Sequence, residues 1–150
     1  MDKPILSQIN IVCGDFDASL AFYRRLGVDI PETMVWRTST GGHHAGPAGS
    51  AAGHSVAFDL DSGAFAQVWN AGWKGRTDLR GRVVVGFQVP TRAGVDDMFH
   101  SMVAAGYRGL QKPDDAFWGA RYAIIEDPDG IAVCLMSPIS PDRKSPPPEV

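Results

Sequence analysis

The feature that most constrains the fold is an Asp-Pro-Asp-Gly segment at residues 127–130, which joins apolar runs at 121–126 and 131–136. Pro128 presets φ for the first turn position, and Gly130 accepts the positive φ that such turns commonly need. The aspartates can bond nearby backbone N–H groups. We therefore predict a β-hairpin. Two strands alone are not stable in water, so this hairpin needs a larger sheet that is covered on one face.

The same order of predicted elements occurs twice along the chain. In the first half, residues 5–13 have the alternation of a strand, and the apolar spacing over 18–26 predicts a helix that ends near Gly27. Further strands are predicted at 34–36, 56–61 and 64–69.

The second half begins with a predicted strand at 83–89 that Pro90 ends. Apolar residues at helical spacing over 95–103 follow, and Gly106 is a plausible end of that helix. The chain then leads into the hairpin. Each half is therefore predicted to contain a strand, a helix and about three further strands.

Length and composition exclude several classes of protein. A chain of 150 residues suits one compact domain or two small, closely packed modules. A net charge of −3 predicts no nucleic-acid partner, and no apolar run approaches the roughly 20 residues that span a membrane. The first residues lack the apolar stretch of a secretory signal. Cys13 and Cys134 are far apart and lack metal-type spacing, so we expect a reduced, cytoplasmic protein.

A strand–helix–three-strand unit that occurs twice resembles the vicinal oxygen chelate superfamily, which contains glyoxalases, bleomycin resistance proteins and extradiol dioxygenases. The residues that carry the resemblance are Asp15, Ser19, Phe22-Tyr23 and Leu26-Gly27 in the first half, and Trp118-Gly119-x-Arg121 and 127–130 in the second. The resemblance implies an α+β fold in which two tandem βαβββ modules form curved mixed sheets around a central cavity. It also implies a homodimer.

The resemblance extends to about Pro138, which sets the expected domain organisation. We expect a single domain at 1–138, with its first module at about 5–73 and its second at about 82–137. Residues 74–81 are polar and charged, as in a linker, and the Pro-rich tail at 139–150 is expected to be disordered or extended.

Metal-dependent members of the family take ligands from the first and last strand of each module. In this chain the resemblance places those positions at Gln8, Gln67, Val84 and Cys134. Two amides, an alkyl group and a thiol are poor ligands for Mg²⁺ or Ni²⁺, which need several anionic or imidazole donors. We therefore expect no metal ion and no cofactor at these positions.

Strand alternation from the same positions predicts which residues share the ligand face. These are Gln8, Asn10, Gln67, Trp69, Gln88 and Cys134. Trp118, from a predicted turn at Phe117-Trp118-Gly119, is added to them. A face of aromatic groups and neutral amides suits an uncharged or aromatic small molecule. Each aromatic residue has the alternative role of packing between the modules.

The histidines offer a different kind of site. His43, His44 and His54 lie in or beside a Gly/Ala-rich stretch at 38–55, which is predicted to be a surface loop because it has no periodicity. Adjacent histidines cannot easily face one ion together. His54 is the best candidate for a general base, since it could sit at the mouth of the cavity.

Three functions remain open from the sequence. The first is a metal-independent binder of a small aromatic or uncharged molecule. The second is an enzyme of the same fold, a lyase, isomerase or dioxygenase, with a non-standard metal set or a histidine base. The third is an interaction domain that uses its Pro-rich tail for docking.

Overall fold

A computed structural model describes residues 8–47, 56–69 and 83–146. The side chains of Gln8, Gln67 and Trp69 lie outside the described part. The chain divides into two compact units, Met1–Arg76 and Thr77–Val150, which are described separately.

The first unit contains a four-stranded mixed sheet. Its described elements are β1 (Gln8–Cys13), α1 (Phe16–Leu26), β2 (Val35–Arg37), β3 (His43–Ala45), β4 (Ala57–Ser62) and α2 (Gly63–Trp69). The strand order is β1-β4-β3-β2, with β1 parallel to β4 and the other pairs antiparallel. The unit is therefore a βαβββ module followed by a short helix.

Helix α1 covers one face of this sheet. The Asp15 side chain accepts a hydrogen bond from the Ala18 N–H at 2.9 Å, and Gly27 ends the helix in the left-handed conformation. Phe22 and Tyr23 are fully buried, and the Tyr23 ring lies 4.8 Å from that of Phe58 on β4. The opposite face of the sheet is thus left for other contacts.

The second unit repeats the order of the first. Its elements are β5 (Val84–Gln88), α3 (Arg92–Ala104), β6 (Gly109–Asp115), β7 (Arg121–Glu126) and β8 (Ala132–Met136). The strand order is β5-β8-β7-β6, again with one parallel pair, β5 with β8. The core residues on strands and helix are Val85, Val95, Phe99, Met102, Ala123, Ile125, Val133 and Leu135. The α+β class and the repeated βαβββ order are confirmed.

The turn between β7 and β8 has the predicted chemistry. Asp127 is buried, and its Oδ1 accepts hydrogen bonds from the N–H groups of Asp129 at 2.9 Å and Ile131 at 2.8 Å. Gly130 has φ of 82°. Since a side chain is strained at this φ, glycine is required here.

Replacing Gly130 with valine is expected to lower the free energy of unfolding by about 1–3 kcal/mol, because a β-branched residue must adopt positive φ. Urea denaturation followed by circular dichroism measures this loss. Gly86→Val is the control, since an added Cβ at Gly86 meets nothing within 4 Å and the backbone there is an ordinary strand. An unchanged midpoint for Gly130→Val would contradict the turn assignment.

The strand predicted at 64–69 is wrong. Residues Gly63–Trp69 form α2, so the last strand of the first module is β4 and Gln67 is not on a strand. A short apolar run does not distinguish helix from strand. What decides is Ser62, whose Oγ accepts the Phe65 N–H at 3.2 Å in the manner of a helix N-cap.

Two loop predictions also need correction. The stretch at 38–55 is not wholly a loop, because His43–Ala45 forms β3 between β2 and β4, whereas 48–55 lies outside the described residues. The tail is not disordered over 139–146. Its Ser140 N–H donates to the Gly119 carbonyl at 3.0 Å and its Ser145 N–H to the Phe117 carbonyl at 2.8 Å.

Candidate functional site

The face of the first sheet opposite α1 carries a hydrogen-bonded polar cluster. Asp61 on β4 is fully buried. Its Oδ1 lies 2.6 Å from Nδ1 of His44 on β3, and its Oδ2 accepts a hydrogen bond from Nδ2 of Asn10 on β1 at 2.8 Å. We call these three residues the Asn10–Asp61–His44 cluster.

Sheet register brings the cluster together. His44 is the direct antiparallel partner of Asp61, so the two side chains leave the sheet on the same face. Asn10 is paired with Asp59, two residues before Asp61, and reaches along the same face. Three neighbouring strands therefore contribute one residue each, although the residues are up to 51 positions apart.

The hydrogen bonds define the state of the imidazole. Both carboxylate oxygens of Asp61 act as acceptors, so Nδ1 of His44 is the donor, and Nε2 presents a lone pair when the ring carries a single proton. The His44 side chain is 34% exposed. In the described part of the chain, no group is hydrogen-bonded to Nε2. The ring is thus held as an oriented proton acceptor.

Aromatic side chains lie beside this acceptor. The Phe65 ring of α2 is 5.8 Å from the His44 ring and 5.2 Å from the Trp36 ring, in edge-on arrangements. Trp36 is the register partner of His44 on β2 and is 49% exposed. An exposed aromatic surface therefore adjoins the polar cluster.

His43 points to the other face, as neighbouring residues on a strand must. Its ring lies 5.3 Å from that of Phe16 at the start of α1. The expectation that the adjacent histidines do not share one ion agrees with this geometry. Across residues 8–47, 56–69 and 83–146, no group of three or more His, Cys, Asp or Glu is placed to hold a metal ion.

The corresponding face of the second sheet is neutral. Val84, Gly86 and Gln88 on β5 share it with Cys134 on β8, which is the register partner of Gly86. Val84 is 56% exposed and has no donor atom. Burial raises the pKa of the Cys134 thiol, so the thiol is protonated at neutral pH. Val84 therefore offers no ligand to a divalent cation, and a cation at Cys134 would have to displace the thiol proton.

Trp118 lies near this face through its contact with Tyr122. The two rings are 5.2 Å apart, and Tyr122 on β7 alternates with the buried Ala123 and Ile125. Tyr122 was not among the predicted site residues. The period-two pattern of the hairpin strand is the signal that would have identified it.

The predicted site residues do not form one described group. Asn10 lies in the cluster of the first unit, whereas Gln88, Trp118 and Cys134 belong to the second unit. Gln67 and Trp69 are on α2 rather than on a strand, and His54 is outside the described residues. Sequence reasoning missed His44 and Asp61. The signal was Asp61 itself, an acidic residue inside an apolar strand.

Arg121, which belongs to the motif that carries the family resemblance, forms its ion pairs within the second unit. Its Nε donates to Oδ1 of Asp96 on α3 at 2.9 Å, and its Nη1 donates to Asp115 at 2.9 Å. The hydrogen bonds that Arg121 donates to Asp96 and Asp115 raise the pKa of its guanidinium. Arg121 therefore joins β7 to α3 and β6.

Unfolding at low pH should reveal this network. The hydrogen bond from Arg121, aided by Arg92, lowers the pKa of Asp115 below its usual value. A carboxyl group with a depressed folded-state pKa stabilises the fold above its unfolded pKa of about 3.9, and that contribution is lost as the pH falls through the folded value. Urea unfolding of wild type between about pH 6 and pH 3 should show this loss, and Asp115→Asn should show a smaller loss.

Asp97→Asn is the matched control, because Asp97 is an exposed residue of α3. Equal pH dependence of Asp115→Asn and wild type would show that the Arg121 network does not contribute to stability.

Comparison with known proteins assigns the family. A family model described as the Glyoxalase/Bleomycin resistance protein/Dioxygenase superfamily matches residues 5–135. The chain belongs to this superfamily. No curated protein sequence matches it significantly. Within the described residues, no helix is long and apolar enough to span a membrane.

Solved structures of the glyoxalase superfamily share the fold at low sequence identity. A glyoxalase/bleomycin resistance protein/dioxygenase family enzyme from Burkholderia phytofirmans has a TM-score of 0.66 and 18% identity, over 88% of this chain and 97% of that one. A glyoxalase-related enzyme from Fulvimarina pelagi has a TM-score of 0.68 and 19% identity, over 89% and 88%. A lactoylglutathione lyase from Agrobacterium tumefaciens has a TM-score of 0.59 and 15% identity, over 91% and 96%.

Proposed function

We propose that this glyoxalase-superfamily protein binds a small uncharged or aromatic molecule on the sheet faces opposite α1 and α3, without a metal ion at the positions used by metal-dependent relatives. The observation that carries the proposal is the pair Val84 and Cys134. One has no donor atom, and burial raises the pKa of the other, so that neither supplies an anionic ligand.

Aromatic and neutral polar groups on the sheet faces opposite α1 and α3 support the proposed ligand class. Trp36 and Phe65 provide aromatic surface in the first unit, and Tyr122 does so in the second. Aromatic faces stack on flat ligands, and a few polar groups orient them. Asn10 and Gln88 are neutral amides on these faces, and the Asp61 carboxylate beside Asn10 is already hydrogen-bonded to Asn10 and His44.

Isothermal titration calorimetry with a panel of aromatic compounds tests this function. Protein treated with EDTA and then dialysed is expected to bind at least one compound as well as untreated protein does. Absence of binding by a folded sample would overturn the proposed function. A stoichiometric divalent ion in the purified protein, together with loss of binding after EDTA, would overturn its metal independence.

A pair of variants distinguishes binding at a specific site from nonspecific binding to exposed apolar surface. Tyr122→Ala is expected to weaken the binding of a compound in the second unit by about fivefold, because stacking contributes about 1 kcal/mol beyond burial. Val103→Ala removes exposed apolar area from α3, on the other side of the sheet, and should leave the affinity unchanged. Equal weakening by both variants would argue against the face as the site.

A further inference from the structure

We propose that the Asn10–Asp61–His44 cluster is a proton-accepting site for a phenol or a similarly acidic hydroxylated aromatic molecule, with His44 as the base. This inference rests on the proposed function, because the aromatic molecule must first bind. It adds a proton-transfer step at three named residues, which membership of the superfamily does not assign.

The first argument is the orientation of the imidazole. A histidine acts as a base through one nitrogen when the other is held by a hydrogen bond that fixes ring and tautomer. The buried carboxylate of Asp61 does this at 2.6 Å, and Asn10 holds the second carboxylate oxygen at 2.8 Å. Asp61 and Asn10 are therefore positioning residues, and His44 is the group that meets the ligand.

The second argument is the surroundings of Nε2. His44 is partly exposed, and the aromatic rings of Phe65 and Trp36 lie on the same side of the sheet. A flat ligand that packs against the exposed Trp36 brings a substituent to the imidazole edge. An acceptor nitrogen there selects a substituent with an acidic hydrogen, and a hydroxyl group on the aromatic ring supplies one.

The third argument is charge. Asp61 and Asp59 of β4 are the described titratable side chains that share this face with His44. Arg37 on β2 is paired with His43 and lies over the Phe16 ring, on the face covered by α1. No described cation therefore faces the imidazole, whereas the Asp61 carboxylate balances the charge of a ring that gains a proton.

The step is a simple proton transfer. The phenol O–H bond breaks, the proton forms an N–H bond at Nε2 of His44, and the oxygen keeps the electron pair. A neutral pair becomes an imidazolium beside a phenolate, so neither an oxidant nor a second reactant is needed. The phenolate is the more nucleophilic and electron-rich form, and its formation is the first step of many reactions on phenols.

4-Nitrophenol is a direct probe, because its phenolate has a visible absorption band that the neutral form lacks. At about one pH unit below its pKa, about a tenth of the free compound is ionised. With wild-type protein in excess, the band is expected to increase by about fivefold. 4-Nitroanisole, which has no acidic hydrogen, serves to measure binding alone.

Three variants test which residue causes the increase in the phenolate band. His44→Gln should leave the phenolate band of 4-nitrophenol at its free-solution value, and 4-nitroanisole measures how much affinity this variant retains. Asp61→Asn tests positioning, because an amide can donate to Nδ1 and so move the ring proton to Nε2. Its band should fall, and the midpoint of its pH profile should move towards that of free 4-nitrophenol. His100→Gln changes an exposed histidine of α3 in the second unit and should behave as wild type.

The outcomes separate this inference from the proposed function. A wild-type complex with the absorbance of free 4-nitrophenol, or an undiminished band in His44→Gln, would overturn the inference and leave the binding function intact. Binding of other aromatic compounds but not of 4-nitrophenol would also overturn it. Failure of every aromatic compound to bind would overturn the proposed function itself. Should Asp61→Asn not fold, His44→Gln still decides.

Discussion

Gly119→Ala is expected to lower the free energy of unfolding by about 3 kcal/mol, the sum of backbone strain and a steric clash. Gly119 has φ of 94°, a conformation that disfavours any side chain. An added Cβ would also fall on the backbone carbonyl oxygen of Ser140, which cannot rotate away as a flexible side chain could. The tail segment at 139–146 would have to detach from the turn that it covers.

Gly106→Ala is a matched control for this prediction. Gly106 has nearly the same φ, 95°, but an added Cβ there meets nothing within 4 Å. Gly106→Ala should therefore lower the free energy of unfolding only by the strain of positive φ, about 1 kcal/mol. Urea denaturation measures both losses, and hydrogen exchange at Ser140 and Ser145 reports detachment of the tail. Equal losses for the two variants would show that the tail does not pack as described.

Asp61→Ala is expected to lower the free energy of unfolding by about 3 kcal/mol, because two hydrogen-bond donors lose their acceptor at a buried position. The donors are Nδ2 of Asn10 and Nδ1 of His44, and the Asp61 side chain is fully buried. Thermal and urea unfolding, followed by circular dichroism, measure the loss. The magnitude is large because the cluster joins three strands of one sheet.

Asp97→Ala is the control for this second prediction, since it removes a carboxylate from an exposed position of α3 and should cost little. A small loss for Asp61→Ala, equal to that of Asp97→Ala, would contradict the role of the cluster in holding the sheet. A large loss would not by itself establish the proton-accepting role, which depends on the absorbance of bound 4-nitrophenol.

The sequence predicted most of the secondary structure because its signals are local. The turn at 127–130 is specified by residues that bond to their own neighbours, and Asp15 and Gly27 delimit α1 in the same way. The spacing of apolar residues then determines which face of each helix and strand is buried. The helix α2, which was predicted to be a strand, lacked such a signal. Its short apolar run is compatible with a helix and with a strand, and the Ser62 cap decides between them.

The candidate site was predicted less well, because it depends on contacts that are distant along the chain. Gln67 was assigned to the last strand of the first module, but β4 takes that place and brings Asp61 onto the face opposite α1 instead. His44 was assigned to a loop. Three residues do not form a strand on their own, and β3 exists because β2 and β4 pair with it on either side.

By itself, the sequence determined the repeated βαβββ order and the turn chemistry, since hydrophobic period and turn residues act over a few positions. It also placed Val84, a side chain without a donor atom, at a position where the family resemblance implies a metal ligand. Only the tertiary structure decided that Asn10, His44 and Asp61 meet. Sheet register joins residues from three strands, and the burial that makes Asp61 an effective partner exists only after those strands have paired.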